Sequence, residues 1–200
     1  MALDGVVVAT SNPGKLREVR AILADLEARL LALDAFAPLR FPEEGDDYEQ
    51  NAAAKARTCA QATGCLSLAD DSGLEVEALG GRPGVRSARY GGPDLDDAAR
   101  VARLLEELSG VAAEKRAARF VCVAALAHPD GRVVTARGSC EGRILGAPRG
   151  SAGFGYDPVF LAAGTGLSMA ELPESEKNRL SHRARAFRAL RGRIDAALTG

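Results

Sequence analysis

The stretch Leu66-Ser67-Leu68-Ala69-Asp70-Asp71-Ser72-Gly73-Leu74 carries the decision about fold class. A short apolar run, Leu66 to Ala69, ends in two adjacent carboxylates, a hydroxyl and a glycine. A buried strand that empties into acids places charge at the edge of a sheet, where ligands of α/β folds bind. Two neighbouring Asp side chains repel each other unless a cation or a proton lies between them. Two readings follow. Either this is a Mg²⁺ site in which one Asp positions or deprotonates water, or it is a strand end whose Asp caps the next turn. Downstream, Glu75 to Leu79 reads as a further strand, and Gly80-Gly81-Arg82-Pro83-Gly84 as a loop.

Upstream, Val6 to Ala9 reads as a buried strand. Thr10-Ser11-Asn12-Pro13-Gly14-Lys15 comes next, with Asn12 or Ser11 suited to cap a helix and Pro13 to its first position. Leu16, Val19, Leu23 and Leu26 give that helix one apolar face. A polar turn between a strand and a helix start presents backbone N–H groups outward, which suits an anion, and Lys15 adds a formal charge. The run is not a P-loop: Ala9 replaces the first glycine, and Leu16 the Ser or Thr that would hold Mg²⁺. Leu30 to Phe36 reads as a second strand, and Phe41 to Asp47 as an acidic loop. A helix follows from about Asp47 to Ala62, with Asn51 and Lys55 four residues apart on one face.

Beyond the acids, a helix is expected from about Asp96 to Leu108. The β-rich segments Arg119 to Ala127 and Arg132 to Glu141 are joined by Pro129-Asp130-Gly131, a hairpin signal. In Gly153-Phe154-Gly155-Tyr156-Asp157-Pro158, small residues let backbone approach a ligand, Phe154 and Tyr156 offer rings for a base, and Asp157 offers an acceptor. A tight turn with its own apolar cluster is the other reading. A helical region spans Pro173 to Leu198, with Lys177, His182 and Arg183 near its start.

Composition narrows the class. The 200 residues are 46% apolar and 26% charged, ordinary for a globular protein with a core. The net charge of −1 gives no global attraction to nucleic acid or to an anionic membrane. No apolar run is long enough to span a bilayer. Met1 to Gly5 lacks a basic n-region, so it does not read as a signal peptide. Cys59, Cys65, Cys122 and Cys140 lack metal-site spacing and read as free thiols of a reducing cytoplasm.

Five blocks occur in order: Thr10-x-Asn12-x-x-Lys15, Asn51-Ala52-x-x-Lys55-Ala56, Ala69-Asp70-Asp71-Ser72-Gly73-Leu74, Gly153-Phe154-Gly155-Tyr156-Asp157-Pro158 and Glu176-Lys177-x-x-x-Ser181-His182-Arg183. As a set they resemble the inosine triphosphate pyrophosphatase family, also called the Ham1 or RdgB family of dITP/XTP pyrophosphatases. The resemblance implies an elongated α/β fold, with a long, twisted mixed sheet flanked by helices and two lobes around a cleft. It implies one domain over residues 1–200, a homodimer, Mg²⁺ as cofactor and a cytoplasmic enzyme. The implied activity is hydrolysis of non-standard purine nucleoside triphosphates to monophosphate and pyrophosphate. By the same resemblance, Thr10, Ser11, Asn12, Pro13, Gly14 and Lys15 hold the triphosphate, and Lys55 is a further phosphate contact. Asp71 is general base and metal ligand, and Ser72 touches substrate. Phe154, Gly155, Tyr156, Asp157, Lys177, His182 and Arg183 surround the nucleotide. The family often has an acid where this chain has Pro42, so Glu43 and Glu44 become the alternatives for a second metal ligand.

Two other readings compete. A Maf-type nucleotide pyrophosphatase shares the general chemistry, but the Ser181-His182-Arg183 block argues against it. A nucleotide sensor without turnover would not need the intact Asp70-Asp71-Ser72 block.

Overall fold

The computed structural model describes residues 5–199, so the leader reading of Met1 to Gly5 falls, but for Gly5, outside the described residues. The elements are β1 (Val6–Val8), α1 (Pro13–Ile22), β2 (Leu30–Ala32), α2 (Tyr48–Thr63), β3 (Leu66–Val76), β4 (Pro83–Gly84), α3 (Asp97–Glu107), β5 (Ala117–Ala127), β6 (Val133–Ile144), β7 (Phe160–Ala162), α4 (Glu174–Leu180) and α5 (His182–Thr199). The seven strands form one mixed sheet in the order β2-β1-β3-β5-β6-β7, with β4 paired to β3. β1 runs parallel to both β2 and β3, whereas β4 is antiparallel to β3 and β7 to β6. Fold class is therefore mixed α/β, as expected.

By contact density the chain divides into two compact units. The first holds residues up to Asp71, Cys122–Gly138 and those from His182 on. Its core joins Val6, Val8 and Leu68 on one sheet face to Val19 of α1 and Phe187 and Leu190 of α5. Each such side chain, fully buried, contributes about 1.5–3 kcal/mol. β1 is three buried valines, the apolar run of a parallel strand covered on both faces. α1 starts where expected, with Asn12 as cap and Pro13 in the first turn. α2 buries Ala52, Ala56, Cys59 and Ala60 and stops at Gly64, whose φ of 69° suits glycine. The second unit, Ser72–Val121 and Ser139–Ser181, is built on Leu74, Leu104, Phe120, Tyr156, Phe160 and Met169. There the Phe120 and Phe160 rings lie 4.4 Å apart between centroids.

Four sequence expectations change. The strand carrying the acids does not end at them: β3 continues to Val76, because Leu74 and Glu75 pair with Gly84 and Pro83. Glu77–Leu79 is then a 3-10 turn closed by Gly80 at φ 65°, so the strand read over Glu75 to Leu79 stops early. β2 stops at Ala32 and Leu33–Ala35 turns, since this strand has only one sheet neighbour and no fully buried residue. The helical region from Pro173 is two helices, broken where Ser181 takes an extended ψ of 156°. Among the described residues no helix is long and apolar enough to cross a membrane.

Candidate active site

Successive side chains of a strand point to opposite faces. Because β3 runs unbroken through Asp70 and Asp71, the two carboxylates are divided between the α1/α5 face and the α2 face. On the first, Asp70 Oδ2 accepts from Arg183 Nη2 at 3.1 Å and pairs with Lys15 Nζ at 3.0 Å. The other arm of Arg183 pairs with Glu18, one helical turn from Lys15 on α1. Arg183 is 2% exposed. Burial works against its charge, but the Asp70 and Glu18 carboxylates outweigh burial and raise its pKa. Arg183 thus lies between two acids, as a guanidinium this deep requires carboxylate partners.

On the opposite face, Asp71 Oδ2 accepts from Asn51 Nδ2 at 2.9 Å. Asp71 Oδ1 is 3.4 Å from Lys55 Nζ, which also bonds Glu44 Oε1 at 3.0 Å. Burial pushes the Asp71 carboxyl above its ordinary range, more than Lys55 and Asn51 pull it down. For Lys55, burial lowers the pKa, but Asp71, Asp70 and Glu44 together reverse this and raise it. Glu44 and Asp71 therefore share one ammonium, while Glu43 is exposed. Among the described residues no three His, Cys, Asp or Glu side chains gather as a ligand set. Mg²⁺ needs fewer, since it is held by one or two carboxylates with water and phosphate oxygens completing the shell. The Glu44 and Asp71 pair fits that habit.

The Thr10 to Lys15 turn is partly closed on itself. Thr10 Oγ1 accepts the Asn12 N–H at 3.2 Å, and Asn12 Oδ1 accepts those of Gly14 and Lys15 at 2.8 and 3.1 Å. The expected outward row of amides is thus already capped at Gly14 and Lys15, because Asn at the N-cap is the strongest local competitor for them. Ser11 and Pro13 are exposed, and Ser72, next to Asp71 on β3, is half-buried.

In the second unit, Asp157 Oδ2 accepts the Phe154 N–H at 2.9 Å and Lys177 Nζ at 2.5 Å. Lys177 Nζ also lies 5.2 Å from the centroid of the Phe154 ring. The Gly155 N–H donates to Asp97 Oδ2 at 2.7 Å. Gly153, at φ 79°, leaves the space beside the Asp157 carboxylate that a side chain would fill. Tyr156 departs from the expectation of a stacking platform: its ring is core, and its hydroxyl donates to the Ser87 carbonyl at 2.9 Å. Burial raises its pKa. Phe154, half-buried, is the ring left for a base. His182 is buried at the start of α5.

The structure thus gathers Lys55, Glu44 and Asp71 in one cluster, Lys15 and Arg183 on Asp70 in a second, and Phe154, Asp157 and Lys177 in a third. Sequence reasoning singled out neither Glu18 nor Asp97, and it placed Asp70 and Asn51 within candidate blocks without giving either a definite role. The i, i+4 spacing of Asn51 to Lys55 and the i, i+3 spacing of Lys15 to Glu18 were the available signals.

A mixed α/β sheet whose interior strand carries acids on both faces, each met by helix lysines, defines an α/β protein with a charged site of the kind used in phosphoryl chemistry. A sequence profile of the Ham1 family matches residues 6–193. A dITP/XTP pyrophosphatase of Thermus thermophilus is 54% identical over 186 residues, 92% of this chain and 89% of its own length. A dITP/XTP pyrophosphatase of Geobacter sulfurreducens is 50% identical over 192 residues, 94% of this chain and 96% of its own. The solved structure of a HAM1 protein from Coxiella burnetii matches with a TM-score of 0.85 at 39% identity, covering 96% of this chain and 98% of that one. This chain belongs to the Ham1 family.

Proposed function

We propose that the protein hydrolyses non-standard purine nucleoside triphosphates, ITP, dITP and XTP, to the monophosphate and pyrophosphate. The observation that carries the reading is Asp71, buried on β3 with Lys55 and Glu44 beside it, in a chain whose relatives are named dITP/XTP pyrophosphatase. Asp71 orients a water and takes its proton as the water oxygen attacks the α-phosphorus. The bond from that phosphorus to the bridging oxygen breaks, and pyrophosphate leaves. Lys55 and Lys15 offset the charge that develops on the phosphate oxygens. Glu44 and Asp71 would hold Mg²⁺, which when bound supplies Lewis-acid stabilisation of phosphate oxygens.

The Thr10 to Lys15 turn and Ser72 hold the triphosphate in this reading. Phe154 stacks on the base, and Gly155, Asp157, Lys177 and His182 fix the nucleotide around it. Residues 1–200 act as one domain, and the protein works as a cytoplasmic homodimer. Pyrophosphate release from ITP, dITP, XTP, ATP and GTP with and without Mg²⁺ tests the activity. The expected result is rapid, Mg²⁺-dependent release from the first three alone; no release from any of the five overturns the reading. Light scattering on the purified chain tests the dimer, and a mass of one chain would refute it.

A further inference from the structure

We infer that Asn51 is a positioning residue: it fixes the acidic loop against Asp71 and so sets how tightly Glu44 and Asp71 take a divalent cation. This rests on the assignment of those two carboxylates given above.

The Asn51 carboxamide is 5% exposed. Its Oδ1 accepts the Gly45 N–H at 2.8 Å, and its Nδ2 donates to the Gly45 carbonyl at 3.1 Å and to Asp71 Oδ2 at 2.9 Å. The orientation of the amide is forced. The Gly45 carbonyl and the Asp71 carboxylate only accept, and the Gly45 N–H only donates, so the flipped amide would oppose all three. Asn51 therefore grips the backbone immediately after Glu44 by two bonds and the catalytic carboxylate by a third.

Lys55, one turn further along α2, spans the same two elements through charge. Its bond to Asp71 uses the other carboxylate oxygen, Oδ1, and at 3.4 Å is the longer of the two. The oxygens of Asp71 are thus divided: Oδ2 is tied to a neutral amide, and Oδ1 meets an ammonium. Glu44 and Asp71 would hold the divalent cation in competition with the Lys55 ammonium, whereas the neutral Asn51 amide has no charge for it to displace. Asn51 then holds the acid-to-acid spacing in both states. Partners one step out from metal ligands typically change metal affinity or activity by about 10–100-fold.

The test uses Asn51→Ala, and Gly45→Pro, which removes the N–H of the same contact from an exposed loop position. Mn²⁺ binding is titrated by electron paramagnetic resonance, with the metal alone and with α,β-methylene-ITP, whose α–β bridge cannot be cleaved. Circular dichroism confirms folding. The Mn²⁺ dissociation constant and the Mg²⁺ concentration for half-maximal ITP turnover are both expected to rise about 10–100-fold in Asn51→Ala, with kcat largely recovered at saturating Mg²⁺. Gly45→Pro shifts both in the same direction by less. A purely structural Asn51 would lower the melting temperature and leave both cation dependences unmoved, and that result overturns the inference. If Asn51→Ala does not fold, an unshifted Gly45→Pro overturns it. Failure of the wild-type protein to bind Mn²⁺ or to need a divalent cation overturns instead the metal assignment beneath it.

Discussion

Asp70 and Asp71 are neighbours in the chain with different partners: Asp70 is held by Lys15 and Arg183 on one face of β3, and Asp71 by Asn51 and Lys55 on the other. The arrangement separates a carboxylate tied into the buried Arg183 network from the one proposed to act on substrate.

Asp71→Asn keeps the shape and removes the proposed base. Loss of a general base costs about 10²–10⁴-fold in kcat, read by pyrophosphate release from ITP. Burial already favours the neutral form of Asp71, so the variant should melt no lower than the wild type. Asp70→Asn should show the reverse emphasis. It strips one of two carboxylates from the buried Arg183, and breaking a buried pair costs about 3–5 kcal/mol in urea unfolding.

Glu44→Gln and Glu43→Gln separate the two neighbouring acids. Glu44 reaches the Lys55 ammonium that Asp71 also meets, and Glu43 is exposed. Only Glu44→Gln should raise the Mg²⁺ concentration needed for half-maximal activity. Equal shifts in both variants would show that the loop does not choose between them.

Lys15→Ala should weaken ITP far more than inosine monophosphate, since the monophosphate lacks the outer phosphates. Competition binding gives the two affinities, and an equal loss for both would place Lys15 in the Asp70 network alone.

Arg183→Leu tests whether the guanidinium reads the base. Locked between Glu18 and Asp70, it should act through stability: a loss of about 3–5 kcal/mol, with the ITP-to-ATP rate ratio unchanged in the folded fraction. A narrowed ratio would return Arg183 to the base.

Tyr156→Phe removes the donor to the Ser87 carbonyl. Leaving a buried acceptor unmet costs about 1–3 kcal/mol. The KM for ITP should stay at the wild-type value, because the ring belongs to the core.

Much of this was legible in the chain. Val6–Val8 as a buried strand, Asn12 and Pro13 as a helix start, and the stretch around Pro129-Asp130-Gly131 as a turn between β5 and β6 all follow from local chemistry. The α/β class was implied by the family resemblance that the five ordered blocks carry. What local chemistry hides is partnership. Arg183 lies 165 residues from Glu18 in sequence, and nothing near either residue announces the pair. Tyr156 within a glycine-rich turn looks available to a ligand, and only the packing of Leu74, Phe120 and Phe160 shows it as core. The acids appeared to end a strand because the short β4 that prolongs it, two residues of Pro and Gly, has no strand signature of its own.

The division of carboxylates across β3 also has an electrical meaning. On the Asp70 face two carboxylates, Glu18 and Asp70, meet two cations, Arg183 and Lys15, and the formal charges of that cluster cancel. On the Asp71 face two carboxylates, Glu44 and Asp71, gather about the one ammonium of Lys55, and the formal sum of that cluster is negative. In the proposed reading a dication there would turn the sum positive, beside the anionic substrate. The ion pairs of the Asp70 cluster are thus formally balanced. The Asp71 cluster carries a surplus of negative charge, which favours the divalent cation proposed for it.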